Sequence, residues 1–293
     1  MSQSIEDIDR NDGHAKLVSV FGIRTLHTAI LTVLIQSNPV TCLLAAELKR
    51  ETIDQFDRYV AAAEQRINRR YDVEHFLWSD ELPQSQREPL LRGVVVIEGA
   101  LNKGTTEVKN GLIHDWWGAV FIPAATLAKT LNVVQDYPRH NIVYKPEVVA
   151  ARILSRQGND FEVYLRIVKA KLFISAVLNS EHEIHYVQLD PTHIYSRSHS
   201  KRIAEVSDPG KPTEHELPVG KDRGLLWRMN GYWFFAERDG GVYVESEAIS
   251  LSRDIPFGMG NLLAPILHGV PAESLRNSLE ETRRAILAQD TPP

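Results

Sequence analysis

Cysteine is almost absent from this 293-residue chain, which contains only Cys42. A single cysteine excludes an intramolecular disulfide framework and a zinc site built from cysteines. The chain also lacks an excess of positive charge, because 38 acidic residues outnumber 33 basic ones and no long basic run occurs. Nucleic-acid affinity rests on clustered Lys and Arg. We therefore expect no nucleic-acid partner, and a small molecule or a protein instead.

The motifs of common enzyme classes are missing as well. No Gly-x-Ser-x-Gly elbow or phosphate-binding loop is present. Gly258-Met259-Gly260 precedes a helix, but the third glycine and the returning parallel strand of a dinucleotide-binding unit are absent. His182 and His185 are three residues apart, which places them on opposite faces of a strand and keeps them from sharing a metal. We expect no metal, no cofactor and no catalytic nucleophile.

The apolar stretch near the N-terminus, Leu26–Ile35, is too short to span a bilayer. Lys16 and Arg24 precede it, as in an export leader. Two interpretations of residues 1–46 stay open. A cleaved leader would place the protein in the periplasm or outside the cell, and a loosely packed N-terminal helix would leave it in the cytoplasm. In either case we expect no strong membrane anchor.

Residues 47–91 form the next segment, an amphipathic helix followed by a polar linker. Between Glu47 and Asn68 the mostly apolar positions recur every three to four residues, at Leu48, Thr52, Phe56, Val60, Ala63 and Ile67. The polar face has mixed charge, which argues against a membrane-surface helix. Because a lone helix of this length buries too little apolar area, we expect it to pack against a larger body.

From Arg92 the sequence changes to short runs that are rich in β-branched and aromatic residues, which predict strands. We predict strands at 93–101, 112–122, 148–155, 161–169, 172–178, 185–189, 192–206, 225–238 and 242–253, and a helix at 124–135. Asp239-Gly240-Gly241 is typical of a hairpin turn. Successive strands with no helix between them predict an antiparallel, sequentially connected sheet.

A long helix closes the chain before a tail at 289–293. Its apolar face comprises Leu262, Leu263, Ile266, Leu267, Val270, Leu275, Leu279, Thr282 and Ile286. Pro265, Gly269 and Pro271 predict a bend or a break in its first half. The order of elements predicts an α+β fold for residues 92–288, in which the antiparallel sheet curls around the C-terminal helix to bury both apolar faces.

Five segments carry a resemblance to a known family: Gly111–His114, Trp117–Leu127, Gln135–Tyr137, Gly231–Phe234 and Leu251–Pro256. Together they resemble the START-like, polyketide cyclase-like branch of the helix-grip superfamily, which also includes the birch-pollen-allergen fold. The resemblance covers about Arg92 to Leu287, and it is strongest to bacterial members with a leader and an N-terminal helix. It implies a cavity between the sheet and the C-terminal helix that holds a lipid, sterol or polyketide. It does not imply an enzyme.

The side chains that interrupt or decorate the strands are the candidates to line this cavity. They are Trp117, Arg166, Ser198, Trp227, Arg228, Asn230, Tyr232, Trp233 and Glu247, with Leu263 and Leu267 from the C-terminal helix. A solvated outer face of the sheet is the alternative for most of the polar ones. Since a buried charge needs a partner, Arg166 or Arg228 would pair with Glu247.

Carriage or sensing of a hydrophobic small molecule is the function that this pattern favours. Two alternatives stay open: an aromatase or cyclase that uses the same cavity, and a structural partner at the cell envelope with a closed, dry cavity. Two titratable groups that face each other inside the cavity would favour chemistry. An apolar lining with a single polar anchor would favour carriage.

Overall fold

The computed structural model describes residues 45–71, 75–171, 174–255, 258 and 260–289. Nearly all of the leader-like segment lies outside these residues. The described helices are α1 (Arg50–Asn68), α2 (Gln84–Leu91), α3 (Leu127–Val134), α4 (His140–Val143) and α5 (Gly260–Ala288). The described strands are β1 (Ala46–Glu47), β2 (Val96–Gly99), β3 (Thr105–Val108), β4 (Gly111–Pro123), β5 (Val148–Gln157), β6 (Asp160–Lys171), β7 (Ile174–Asp190), β8 (His193–Ser207), β9 (His215–Glu216), β10 (Lys221–Asp222), β11 (Arg228–Arg238) and β12 (Gly241–Ser252).

The main sheet has the strand order β2-β4-β12-β11-β8-β7-β6-β5, and its neighbouring strands are antiparallel. Hairpins connect β5 to β8 in sequence, and β11 to β12. The strand β4 precedes all of these yet pairs with β12, which places the start and the end of the domain side by side. α3 and α4 make the crossing from β4 to β5. This order, with α5 packed on one face, confirms the predicted α+β helix-grip fold.

The hairpin between β11 and β12 follows from its sequence. Asp239 and Gly240 have φ values of 56° and 75°, as the two central residues of a type I′ turn require, and this turn matches the twist of the flanking strands. By contrast, β7 is one strand of 17 residues where two were predicted. Its polar stretch around His182 pairs with β6 on one side and β8 on the other, so both edges of the backbone are hydrogen-bonded.

One face of the sheet, which we call the helix side, packs against α5. Leu275, Leu279 and Ile286 join a cluster that includes Val120 and Val244. Gly118 lets the helix come close, because a Cβ at this position would lie 2.8 Å from Leu279 Cδ1. The predicted apolar face of α5 is therefore confirmed over its described C-terminal half. Of the predicted bend or break, the break does not occur, because Gly260–Ala288 is one helix.

The opposite face, which we call the outer face, is covered by α1 and the segment after it. Phe56 and Ile67 of α1, with Phe76, pack in one cluster with Trp117 and Phe234. The expectation that α1 packs against a larger body is confirmed. Because both faces are covered, β4 and β12 are buried along nearly their whole length. None of the described helices is both long and apolar enough to cross a membrane.

The helix after β4 begins later than its sequence pattern predicts, at Leu127 and not at residue 124. Ala124 has a φ of 59°, which is incompatible with a helix. Thr126 is the N-cap residue, and its side chain accepts a hydrogen bond from the Lys129 N–H. Glu237 of β11 accepts another from the Leu127 N–H at 2.6 Å, so two groups determine where α3 starts.

Candidate functional site

The helix side of the sheet is only partly covered by α5, which contacts β4, β12 and β2. Farther along the sheet, Trp233 of β11, Ile184 of β7 and Leu165 of β6 belong to the helix-side cluster yet remain half-buried. These strands lie in the interior of the strand order, not at its edge. Large apolar side chains therefore stay partly accessible on the helix side, away from the contact with α5.

Serine side chains supply hydrogen-bonding groups on the helix side of β8. Ser196, Ser198 and Ser200 alternate along β8 on the helix side, opposite Tyr186, Ile184 and His182 of β7. The Ser198 hydroxyl donates to the Gly231 carbonyl at 3.2 Å, and the Ser200 hydroxyl accepts from the Met229 N–H at 3.0 Å.

Two histidines on the helix side are uncharged at neutral pH. Burial lowers the pKa of His182 to about 4. Burial, helped by the nearby His268, lowers the pKa of His114 to about 4 as well. His114 Nε2 lies 2.9 Å from Ser252 Oγ, and its ring centroid lies 6.5 Å from that of His268 on α5. His114 and His182 can therefore form neutral hydrogen bonds, but not ion pairs, at this pH.

Carboxylates are concentrated on the other face of the sheet, beneath α1. Asp115, Glu245 and Glu247 are all nearly inaccessible to solvent. The Arg66 guanidinium donates to both Glu247 oxygens, at 2.6 and 3.1 Å, and the Tyr59 hydroxyl donates to Asp115 Oδ2 at 2.9 Å. This carboxylate cluster therefore attaches α1 to the sheet.

Glu245 attaches the segment that follows α1 to the sheet. Its two oxygens accept the backbone N–H groups of Trp78 and Ser79 at 2.8 and 2.9 Å. Burial raises the pKa of Glu245 to about 7, against these hydrogen bonds and the charge of Arg70. Burial also raises the pKa of Asp115 to about 7, and the neighbouring Glu247 adds to this effect.

The predicted cavity residues are divided between the two faces. Trp233 and Ser198 lie on the helix side and Leu267 is buried on α5, whereas Trp117, Trp227, Tyr232, Glu247, Arg228, Asn230 and Arg166 lie on or next to the outer face. The side chain of Leu263 lies outside the described part of the structure. Ser198, Arg228, Asn230 and Tyr232 come together in one pocket beside α1.

The expected partner of Glu247 is replaced by another arginine. Glu247 pairs with Arg66, while Arg166 pairs with Glu214 at 3.0 Å and Arg228 donates to the Trp227 carbonyl at 2.9 Å. Strand alternation did not reveal Arg66, because the residue comes from a helix far away in sequence. A signal was available: Tyr59 and Arg66 are seven residues apart, which places them on one face of α1.

Comparisons with known proteins give similarity at the level of structure alone. No family model matches the chain, and no curated protein matches it. A STAR-related lipid transfer protein from Xanthomonas axonopodis is similar at 17% identity and a TM-score of 0.42, over 63% of this chain and 99% of that one.

Two more solved structures are similar over 60% of this chain. A START superfamily protein from Mycobacterium smegmatis is matched over 99% of its length, at 11% identity and a TM-score of 0.39. An aromatase/cyclase from Streptomyces sp. R1128 is matched over 93% of its length, at 16% identity and a TM-score of 0.35. The described residues contain no group of three or more His, Cys, Asp or Glu side chains arranged to hold a metal ion.

Proposed function

We propose that the protein binds a mainly apolar small molecule between the sheet and α5, as a carrier or a sensor. The observation that supports this most directly is Trp233. Its ring lies on the helix side near the middle of the sheet and stacks along Phe235 with a centroid distance of 6.1 Å, yet it stays half-buried. A large aromatic surface left accessible at such a position is what an apolar ligand would cover.

The surroundings of Trp233 support the same proposal. Half-buried Ile184 and Leu165 extend the apolar surface toward β6, and the serines of β8 offer hydroxyl groups beside it. The two buried histidines on the same face, His114 and His182, are neutral because their pKa values lie near 4. An apolar body with at most a neutral polar group, such as a hydroxyl or carbonyl, fits this chemistry.

The test is binding of fluorescent fatty-acid, sterol and polyaromatic probes to delipidated protein. We expect saturable binding of at least one probe class. Trp233→Leu should weaken it by about tenfold, since the lost ring contact is worth on the order of 1.5 kcal/mol. Trp78→Leu is the matched control, because Trp78 is also half-buried but packs on Trp117 at the outer face. The proposal fails if no probe class binds saturably, or if both variants weaken binding equally.

A cyclase-type enzyme is the second candidate. Its support is the pair His114 and His268, whose rings lie edge to face on the helix side with centroids 6.5 Å apart and could move protons on a bound chain. The substrate class would be a linear poly-β-ketone. If this candidate is correct, His268→Asn should abolish conversion of a poly-β-ketothioester analogue but leave apolar probe binding unchanged. Conversion that persists in this variant would exclude the histidine pair.

A further inference from the structure

A pocket lies on the outer face, between α1 and strands β8 and β11. Its volume is about 440 Å³, within the range of small-molecule sites. Phe56 and Val60 of α1 give it an apolar wall. We call it the α1 pocket. Ser198 and Ser200 of β8 also line it, but Trp233 does not, so the α1 pocket neither requires nor excludes the function proposed above.

The pocket forms because β8 and β11 separate at this point. Their last ladder pair is His199 with Asn230. One residue earlier along β11, the Met229 N–H turns to the Ser200 hydroxyl, so a side chain replaces the strand partner. α1 crosses above the gap and is attached there by the Tyr232 hydroxyl, which donates to Glu64 at 3.0 Å. The pocket is therefore bounded by hydrogen-bonded elements on both sides.

The two walls of the α1 pocket carry opposite charges. Arg197 and Arg228 lie on the sheet side, and Asp57 and Glu64 lie on the helix α1. Arg197 is engaged by the Tyr71 hydroxyl and the Asn68 amide, and Glu64 is engaged by Tyr232. Within the described residues, Arg228 and Asp57 have no ion-pair partner, and Arg228 donates only to the Trp227 carbonyl.

We propose that the α1 pocket binds a small zwitterion with an apolar side group, such as an amino acid. A guanidinium has five N–H donors in a planar fork that suits a carboxylate, so Arg228 would bind the ligand's carboxylate. Asp57 would face its ammonium group, and Phe56 with Val60 would contact the apolar part. A ligand with a single charge would leave one of the two opposed charges unpaired.

Calorimetric titration with three matched compounds tests this proposal: L-phenylalanine, 3-phenylpropionate, which lacks the amine, and phenethylamine, which lacks the carboxylate. We expect saturable binding of phenylalanine and weaker binding of the other two. Arg228→Gln and Asp57→Asn should each weaken phenylalanine binding at least tenfold, because each removes a charge-assisted contact.

Two control variants test whether the loss of binding is specific to the charges of the α1 pocket. Arg152→Gln removes an exposed arginine of β5 that stacks over Tyr164, and Glu51→Gln removes an exposed carboxylate at the start of α1; both should bind phenylalanine as the wild type does. Trp233→Leu should also leave it unchanged, so failure of the apolar-ligand proposal is separable from failure here. Absence of phenylalanine binding, or equal binding by Arg228→Gln and the wild type, would overturn the proposal.

Discussion

Arg66 on α1 and Glu247 on β12 are 181 residues apart in sequence and form a two-pronged ion pair, with N–O distances of 2.6 and 3.1 Å. The Arg66 side chain keeps 43% of its exposure, but that of Glu247 keeps only 4%. The carboxylate is thus buried, and its cation comes from outside the helix-grip core. This pair makes the N-terminal helix part of the folded domain and not an appendage.

Removing the arginine should therefore destabilise the protein. We expect Arg66→Met to lower the free energy of unfolding by about 3 kcal/mol, the low end of the range for breaking a buried ion pair, because Arg66 is partly exposed. Denaturant melts measure this change. Arg50→Met, which breaks the exposed pair with Asp54 on the same helix, should cost less than about 1 kcal/mol. Equal losses in both variants would contradict the structural role of Arg66.

Leu279 tests the packing of α5. The side chain is fully buried against the sheet, next to Gly118. Leu279→Ala should cost about 2–5 kcal/mol, and Leu279→Asp should cost about 3–5 kcal/mol because it buries an unpaired charge. Glu280→Ala, an exposed neighbour on the same helix, is the control. If Leu279→Asp melted like the wild type, this face of α5 would not contact the sheet.

Glu245 gives stability a pH dependence with a definite sign. Its pKa is raised from 4.5 to about 7, so between these pH values the folded protein holds a proton that the unfolded chain has released. Its contribution to stability is therefore present below about pH 4.5 and is lost as pH rises to about 7. Full loss corresponds to about 3 kcal/mol.

Replacing Glu245 with Gln should remove this component. We expect the stability of Glu245→Gln, relative to the wild type, to rise between pH 4.5 and pH 7 and to stay level above it. Melts at a series of pH values measure the difference, and Glu107→Gln at an exposed position of β3 is the control. Parallel curves for Glu245→Gln and the wild type would show that the carboxyl keeps an ordinary pKa.

His182 changes the pH dependence of stability in the opposite direction. Burial lowers its pKa from 6.5 to about 4. Between these pH values the unfolded chain therefore binds a proton that the folded protein does not bind. Stability is therefore lost as pH falls from about 6.5 to about 4, by up to about 3 kcal/mol. His182→Gln should reduce this loss of stability at acid pH, and His215→Gln at an exposed position should not. If His182→Gln lost as much stability at acid pH as the wild type, the imidazole of His182 would be accessible to protons in the folded protein.

The fold could be predicted from the sequence because its signals are local. Turns such as Asp239-Gly240 and the apolar face of α5 depend only on neighbours in the chain, and the structure confirms both. The division of the candidate residues between the two faces could not be predicted. Tyr232 and Trp233 are adjacent and similar in type, and only the position of α1 decides that the outer face buries Tyr232 and the helix side keeps Trp233.

The candidate site shows the same limit. The pattern of the strands could not predict the role of Arg66, because this role arises from Asp115 and Glu247 on two paired strands. Burial of two carboxylates beneath one helix requires a cation from that helix. Alternation along a strand indicates which side chains share a face. It does not indicate what covers that face.

The five tryptophans provide the most direct test of the central claim, that an apolar ligand lies between the sheet and α5. Trp116 and Trp233 belong to the helix side, and Trp78, Trp117 and Trp227 belong to the outer face. Fluorine NMR of protein labelled with 5-fluorotryptophan, titrated with spin-labelled stearate, distinguishes the two groups. We predict saturable broadening that is strongest for the Trp116 and Trp233 resonances and weaker for the other three. Broadening of the outer-face tryptophans instead, or of none, would contradict a ligand between the sheet and α5.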